Sequence, residues 1–144
     1  MGFPRPLLGY ARRVTESLVS LHSLLRWLIL ASAILALFFL FRARGRDGWD
    51  HGAYFWCQAY AWLLGIQSIL GVLLWVMEDR WHGGNTFLSW LHPAVMLVAV
   101  GIAHGGLAHA YRQKDDPAKM NRTAMLVVVG TLVLIAFTIP WLAH

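Results

Sequence analysis

Four stretches of the chain are each apolar over about 20 residues, the length a helix needs to cross roughly 30 Å of hydrocarbon. They fall at about 18–41, 54–77, 88–111 and 124–141. The connections, 42–53, 78–87 and 112–123, are too short to let neighbouring helices run parallel. The expected fold is therefore an all-α membrane protein, an up-down-up-down antiparallel bundle of four transmembrane helices forming one domain over residues 1–144. The first stretch is too long and wrongly flanked for a cleaved signal peptide, and counts as a span. Pro93 falls in the first turn of the third helix, where its missing N–H costs little, and Pro140 stands where the fourth should stop. The first 17 residues mix Arg, Leu and Tyr, as an interfacial segment would.

Composition narrows the class further. Apolar residues make up 58% of the chain and only 19 side chains are charged, 12 basic and 7 acidic. That is too little polar surface to coat a water-soluble domain. It excludes a disordered tail, an ordinary cytosolic enzyme and, despite the net charge of +5, a nucleic-acid binder. Basic residues instead orient the spans. Arg42, Arg44, Arg46, Arg112, Lys114, Lys119 and Arg122 flank the first and third connections; Arg5, Arg12, Arg13 and Arg80 lie at the other side. The expected orientation puts the first group in the cytoplasm and both termini outside, in the periplasm if the cell has one. Trp75, Trp81, Trp90 and Trp141 form an interfacial belt at the outer boundary, with Trp49 and Trp56 at the inner one.

Seven histidines match the carboxylates in number, which is odd in so apolar a chain. Ionisable groups within a bilayer are costly and by default mark function. His22, His92 and His104 fall within spans; His51, His82 and His144 belong to connections or the terminus, and His109 to a boundary. His22 and His92 each lie about four residues inside the outer end of their helix, so both sit roughly 6 Å below one surface. Two imidazoles at equal depth on two helices suit a bridging haem iron in a bundle core. In line with His92 stand Met96, Ala99, Ala103, Gly106 and Ala110; in line with His22 stand Arg26, Ile29, Ala33 and Ala36. Such small residues leave room for a flat macrocycle or simply let helices approach closely.

Arg26 lies one turn deeper than His22 on the same face, and no span holds a carboxylate for it. Its partners could be haem propionates, Gln67 and Ser68 on the second helix, backbone carbonyls, or water reached by snorkelling. The candidate cofactor-binding set is thus His22, His92, Arg26, Met96 and Gln67, with His22 and His92 on the iron. His104 lies about 18 Å deeper than His92 and about 120° round the helix, so it cannot share that iron. It could bond a carbonyl, line a quinone pocket or serve a proton path. His82 joins Glu78 and Asp79 in the second connection, which with His22, His92 and His144 would supply ligands for a metal ion instead. Gly101 and Gly105 form a GxxxG opposite His92, a candidate packing seam. No nucleophile–base pair, phosphate loop or intramembrane carboxylate is visible, and the single Cys57 can form no internal disulfide. Catalysis by the chain alone is not expected.

Three motifs occur in order: H-S-L-L-R-W from His22 to Trp27, W-L-H-P-A-V-M-L around His92, and F-T-I-P-W ending at Trp141. Together they resemble a family of small four-span bacterial membrane proteins known as b-type cytochromes. In that family an H-S-x-x-R-W start, a histidine opening the third span and an I-P-W ending recur. The resemblance covers nearly the whole chain and implies one haem b with His22 and His92 as axial pair and Arg26 as the matching arginine. Electron exchange with quinol, an external carrier or a larger respiratory or photosynthetic complex would follow. Pro93 and His104 depart from the pattern. The alternatives are a cofactor-free accessory subunit and a metal-binding membrane protein.

Overall fold

The computed structural model describes residues 5–45 and 50–138. Its four long helices are α1 (Arg5–Arg42), α2 (His51–Met77), α3 (His92–Tyr111) and α4 (Pro117–Thr138). Four helical stretches are long and apolar enough to cross a membrane: Arg12–Arg42, His51–Met77, Phe87–Tyr111, which joins the turn before α3 to that helix, and Pro117–Thr138. No strand occurs among the described residues. Trp49, Pro140, Trp141 and His144 lie outside them, so the end of the fourth helix and part of the aromatic belt are not tested.

The helix ends follow from local chemistry. Asp50 caps α2, its Oδ1 accepting from the Ala53 N–H at 3.0 Å and its Oδ2 from Arg42 at 3.3 Å. Burial works to raise the Asp50 carboxyl, but the Ala53 N–H and the Arg42 guanidinium outweigh it and hold it below the ordinary carboxylate range. Asp116 accepts from the Lys119 N–H at 3.0 Å, and Pro117 opens α4. This cap starts α4 well before residue 124, so the connection read as 112–123 shrinks to about five residues. At the other end of the chain α1 extends back to Arg5, continuous with its span rather than a separate interfacial segment.

Packing is tightest within two pairs, α1 with α2 and α3 with α4. Small residues make it so. Ala36, Ala99, Ala103 and Ala110 have no exposed surface, and Ala33 and Ala61 have almost none. A methyl group on Gly106 would meet Val127 Cγ2 at 2.5 Å, so here the bare backbone is what lets α3 and α4 touch. By contrast a methyl group on Gly101 or Gly105 would meet nothing outside its own helix backbone within 4 Å. The GxxxG is not a seam within this chain; the packing glycine is its neighbour, on the His92 face. Tyr60 and Thr131 pin α2 to α4 through a buried 2.7 Å hydrogen bond. The Thr131 hydroxyl donates to the Val127 carbonyl at 2.8 Å, which leaves the tyrosine as donor. Large apolar side chains point outward instead: Trp27, Trp62, Phe38, Ile69 and Phe137 are all more than half exposed. Small inside and greasy outside is the reverse of a water-soluble bundle.

Candidate functional site

The segment leading into α3 is built around a proline. In an α-helix the N–H of residue 93 would bond the carbonyl of Ser89, but Pro93 has no N–H. The chain answers with a π turn over Phe87–Leu91, and the indole N–H of Trp75 takes the Ser89 carbonyl at 2.6 Å. Asn85 Oδ1 accepts from the N–H groups of Phe87 and Leu88, and the Ser89 hydroxyl donates to the Gly83 carbonyl at 3.3 Å. These bonds tie the 78–91 connection to the end of α2 and fix where His92 enters the bundle.

His92 Nδ1 lies 3.0 Å from the Thr138 carbonyl oxygen. A carbonyl only accepts, so Nδ1 carries the proton and the neutral ring keeps its lone pair on Nε2. From α1, His22 reaches the same space: both rings line one cavity of about 260 Å³, partly open at its mouth. One water needs only about 10–15 Å³, so the space is much larger than a hydration site. Arg26, Gln67, Met96 and Gly71 line it as well. Gly71 is there because of the ring beside it: a Cβ at that position would stand 3.3 Å from His22 Cε1.

The polar accounting of this cavity does not close. Gln67 is 5% exposed and donates its Nε2 to the His22 carbonyl at 2.9 Å, which fixes the orientation of the amide. Its Oε1, the Nδ1 of His22 and the hydroxyl of Ser68 are buried without any hydrogen-bond partner among the described residues. Unpaired buried polar groups cost about 1–3 kcal/mol each. Arg26 stacks 5.5 Å from the Trp27 ring and has no hydrogen-bond or carboxylate partner among the described residues. Of the alternatives for Arg26, a bond to Gln67 or Ser68 is not formed: Gln67 Oε1 and the Ser68 hydroxyl stay unpartnered among the described residues. Arg80 also lines the cavity and is paired with Glu78.

The five residues expected around a cofactor thus meet at one cavity, with His22 and His92 on different helices. His104 does not join them; it lies on the outer side of α2 and α3, its ring 5.8 Å from Trp62. His82 pairs with Asp79 at 3.0 Å on the exposed connection, and His109 with Gln113 at 2.9 Å. Glu78 goes to Arg80 and Asp79 to His82, so the acidic connection and the buried histidines do not converge. No group of three or more metal-ligating side chains occurs among the described residues. Sequence reasoning missed Trp75, Gly71 and the Thr138 carbonyl. Gly71 was within reach, since it stands one turn from Gln67 on the same face. A backbone carbonyl on another helix leaves no sequence signal.

No protein-family profile, no curated protein and no solved structure matches the chain.

Proposed function

We propose that this chain is a membrane-embedded electron-transfer protein that holds one haem b between His22 and His92. The observation that carries the reading is the pair of imidazoles on α1 and α3 facing one cavity, one of them with its tautomer set by Thr138. An iron-ligating histidine typically donates its far N–H to a carbonyl, as His92 does. Gln67 Oε1 and His22 Nδ1, buried and unpartnered among the described residues, are polar atoms of this cavity that the chain itself leaves unsatisfied. Arg26 would meet the propionates, and Met96, half-buried beside Thr138, would line the ring edge.

Bound there, haem supplies a one-electron iron couple. The chain would hold the iron through the His22 and His92 imidazoles, with Leu64, Leu74 and Ile135 as the apolar part of the lining. Contacts of His22 in α1 with Gln67 in α2, of Trp75 near the end of α2 with Ser89 just before α3, and of His92 at the start of α3 with Thr138 at the end of α4 support the up-down-up-down order. The excess of basic residues around the first and third connections supports an inner-membrane protein with both termini outside. Exchange partners on this reading are membrane quinol and an external carrier or a larger membrane complex. A cofactor-free accessory subunit is the competing reading, and the closely packed alanine faces of α1 and α3 favour it.

Absorbance spectra of the purified protein, oxidised and reduced, decide between them. The expected result is a Soret band with split low-spin bands on reduction and one haem per chain. Replacing His22 or His92 with Ala should abolish that spectrum. Protein that is folded, haem-free and unable to take up added haem would overturn the proposal.

A further inference from the structure

Two guanidinium groups line the His22–His92 cavity, and no Asp or Glu among the described residues lines it with them. Arg26 comes from α1. Arg80 comes from the connection between α2 and α3. There, just past the end of α2, Asp79 takes a left-handed backbone (φ 51°), which Asp adopts more readily than most side chains, and a short 3-10 turn over Arg80–His82 follows. Two contacts pin that turn. The Arg80 carbonyl accepts from the Gly83 N–H at 3.0 Å, and Trp81 packs edge-on against Trp75, itself part of the cavity lining, with ring centroids 5.1 Å apart. A Cβ on Gly83 would stand only 3.0 Å from that carbonyl oxygen, so the glycine keeps the turn this tight. The side chain of Arg80 is 42% exposed, which puts it at the rim, between cavity and solvent. Glu78 takes its Nε. A guanidinium carries five N–H donors, and the four on Nη1 and Nη2 have no partner among the described residues. That terminal edge is the fork that grips a carboxylate through two parallel hydrogen bonds. Arg26 equally lacks a hydrogen-bond or carboxylate partner among the described residues. Two cations with open donors on one cavity call for a ligand with two carboxylates.

We infer that Arg80 is a second carboxylate anchor of this cavity, holding one carboxylate of the ligand at the rim while Arg26 holds the other from α1. Glu78 is a positioning residue that acts through Arg80: it occupies the Nε edge and leaves the terminal fork to the ligand. The identity of the ligand rests on the haem proposal, on which the two carboxylates are the propionates; the pair of open guanidinium groups on one cavity does not.

The test is titration of the full-length chain, purified haem-free in one detergent at low ionic strength, with haem, haem dimethyl ester and iron-free protoporphyrin IX. Haem affinity should fall about tenfold in Arg80→Gln, and protoporphyrin affinity by a similar factor. Ester affinity should be the same in wild type and variant, since the ester has no carboxylate for Arg80 to hold. The loss should persist in Glu78→Gln/Arg80→Gln, which removes repulsion by an unpaired Glu78 as its cause. Arg12→Gln takes the same charge from an exposed ion pair away from the cavity and should change none of the three affinities. An equal fall for haem and ester would make Arg80 a merely structural residue and overturn the anchor. So would no fall for haem, or a fall that vanishes in the double variant. Arg80-dependent binding of protoporphyrin by a chain that gives no low-spin haem spectrum would support the anchor while defeating the haem proposal. A normal low-spin spectrum with equal haem affinity in Arg80→Gln would do the reverse, and a wild-type chain that binds none of the three porphyrins overturns both.

Discussion

Gly71 shows what a single residue decides here. It has no side chain where one would press on His22, and the contact distance of 3.3 Å to an added methyl leaves only a few tenths of an ångström to give. Gly71→Ala should retain haem with a perturbed low-spin spectrum. Gly71→Leu should displace the imidazole and lose most of the haem. Full haem with an unshifted spectrum in the leucine variant would remove His22 from the iron. Asp50 acts at the far end of the molecule. Its carboxyl is held below the usual range when folded, so its contribution is present above the unfolded pKa and is lost as pH falls through the folded one. Asp50→Ala should cost about 1 kcal/mol through the lost cap at neutral pH. Unfolding curves in one detergent should show that gap closing in acid. A gap independent of pH would mean the carboxylate's charge plays no part.

Helices α1 to α4 were legible because span-length apolar runs admit few other outcomes in this composition. Their faces were partly legible. The lines through His22 and His92 hold the residues that pack, but the sequence left open whether Ala33, Ala36, Ala99 and Ala103 make room for a cofactor or for each other. The structure buries them against neighbouring helices. The Gly101–Gly105 seam failed for a geometric reason: the motif states that helices can approach, not which helix does. Gly106, one position further on, faces Val127 and is the residue on which α3–α4 packing turns. Gly106→Ala should therefore destabilise the protein by about 1–3 kcal/mol through overpacking. Gly101→Ala, with open space around it, should be neutral or mildly stabilising. Thermal unfolding of the two variants side by side checks the order; equal effects would mean the α3–α4 contact is not tight. Boundaries were the weak part of the reading. The start of α4 depended on the Asp116–Pro117 cap, whose signal lay within what looked like a polar connection.

For the whole molecule, the distribution of charge makes a directional claim. In cells carrying the protein, Gly84→Cys should react with a membrane-impermeant maleimide from outside, and Gln113→Cys only after the membrane is opened. Cys57 is buried and should stay silent in both. The opposite labelling pattern would invert the orientation and place His22 and His92 near the cytoplasm.

The pairwise packing of the four helices has one more result. The α1–α2 and α3–α4 hairpins are each well fastened, whereas the joint between them is thin. His22 belongs to the first hairpin and His92 to the second. A group gripped by both would act as a rivet across the weakest joint, so cofactor loading and assembly of the two halves become one event. Separately expressed hairpins, divided in the 83–86 turn, should then find each other far better when haem is supplied than when it is withheld.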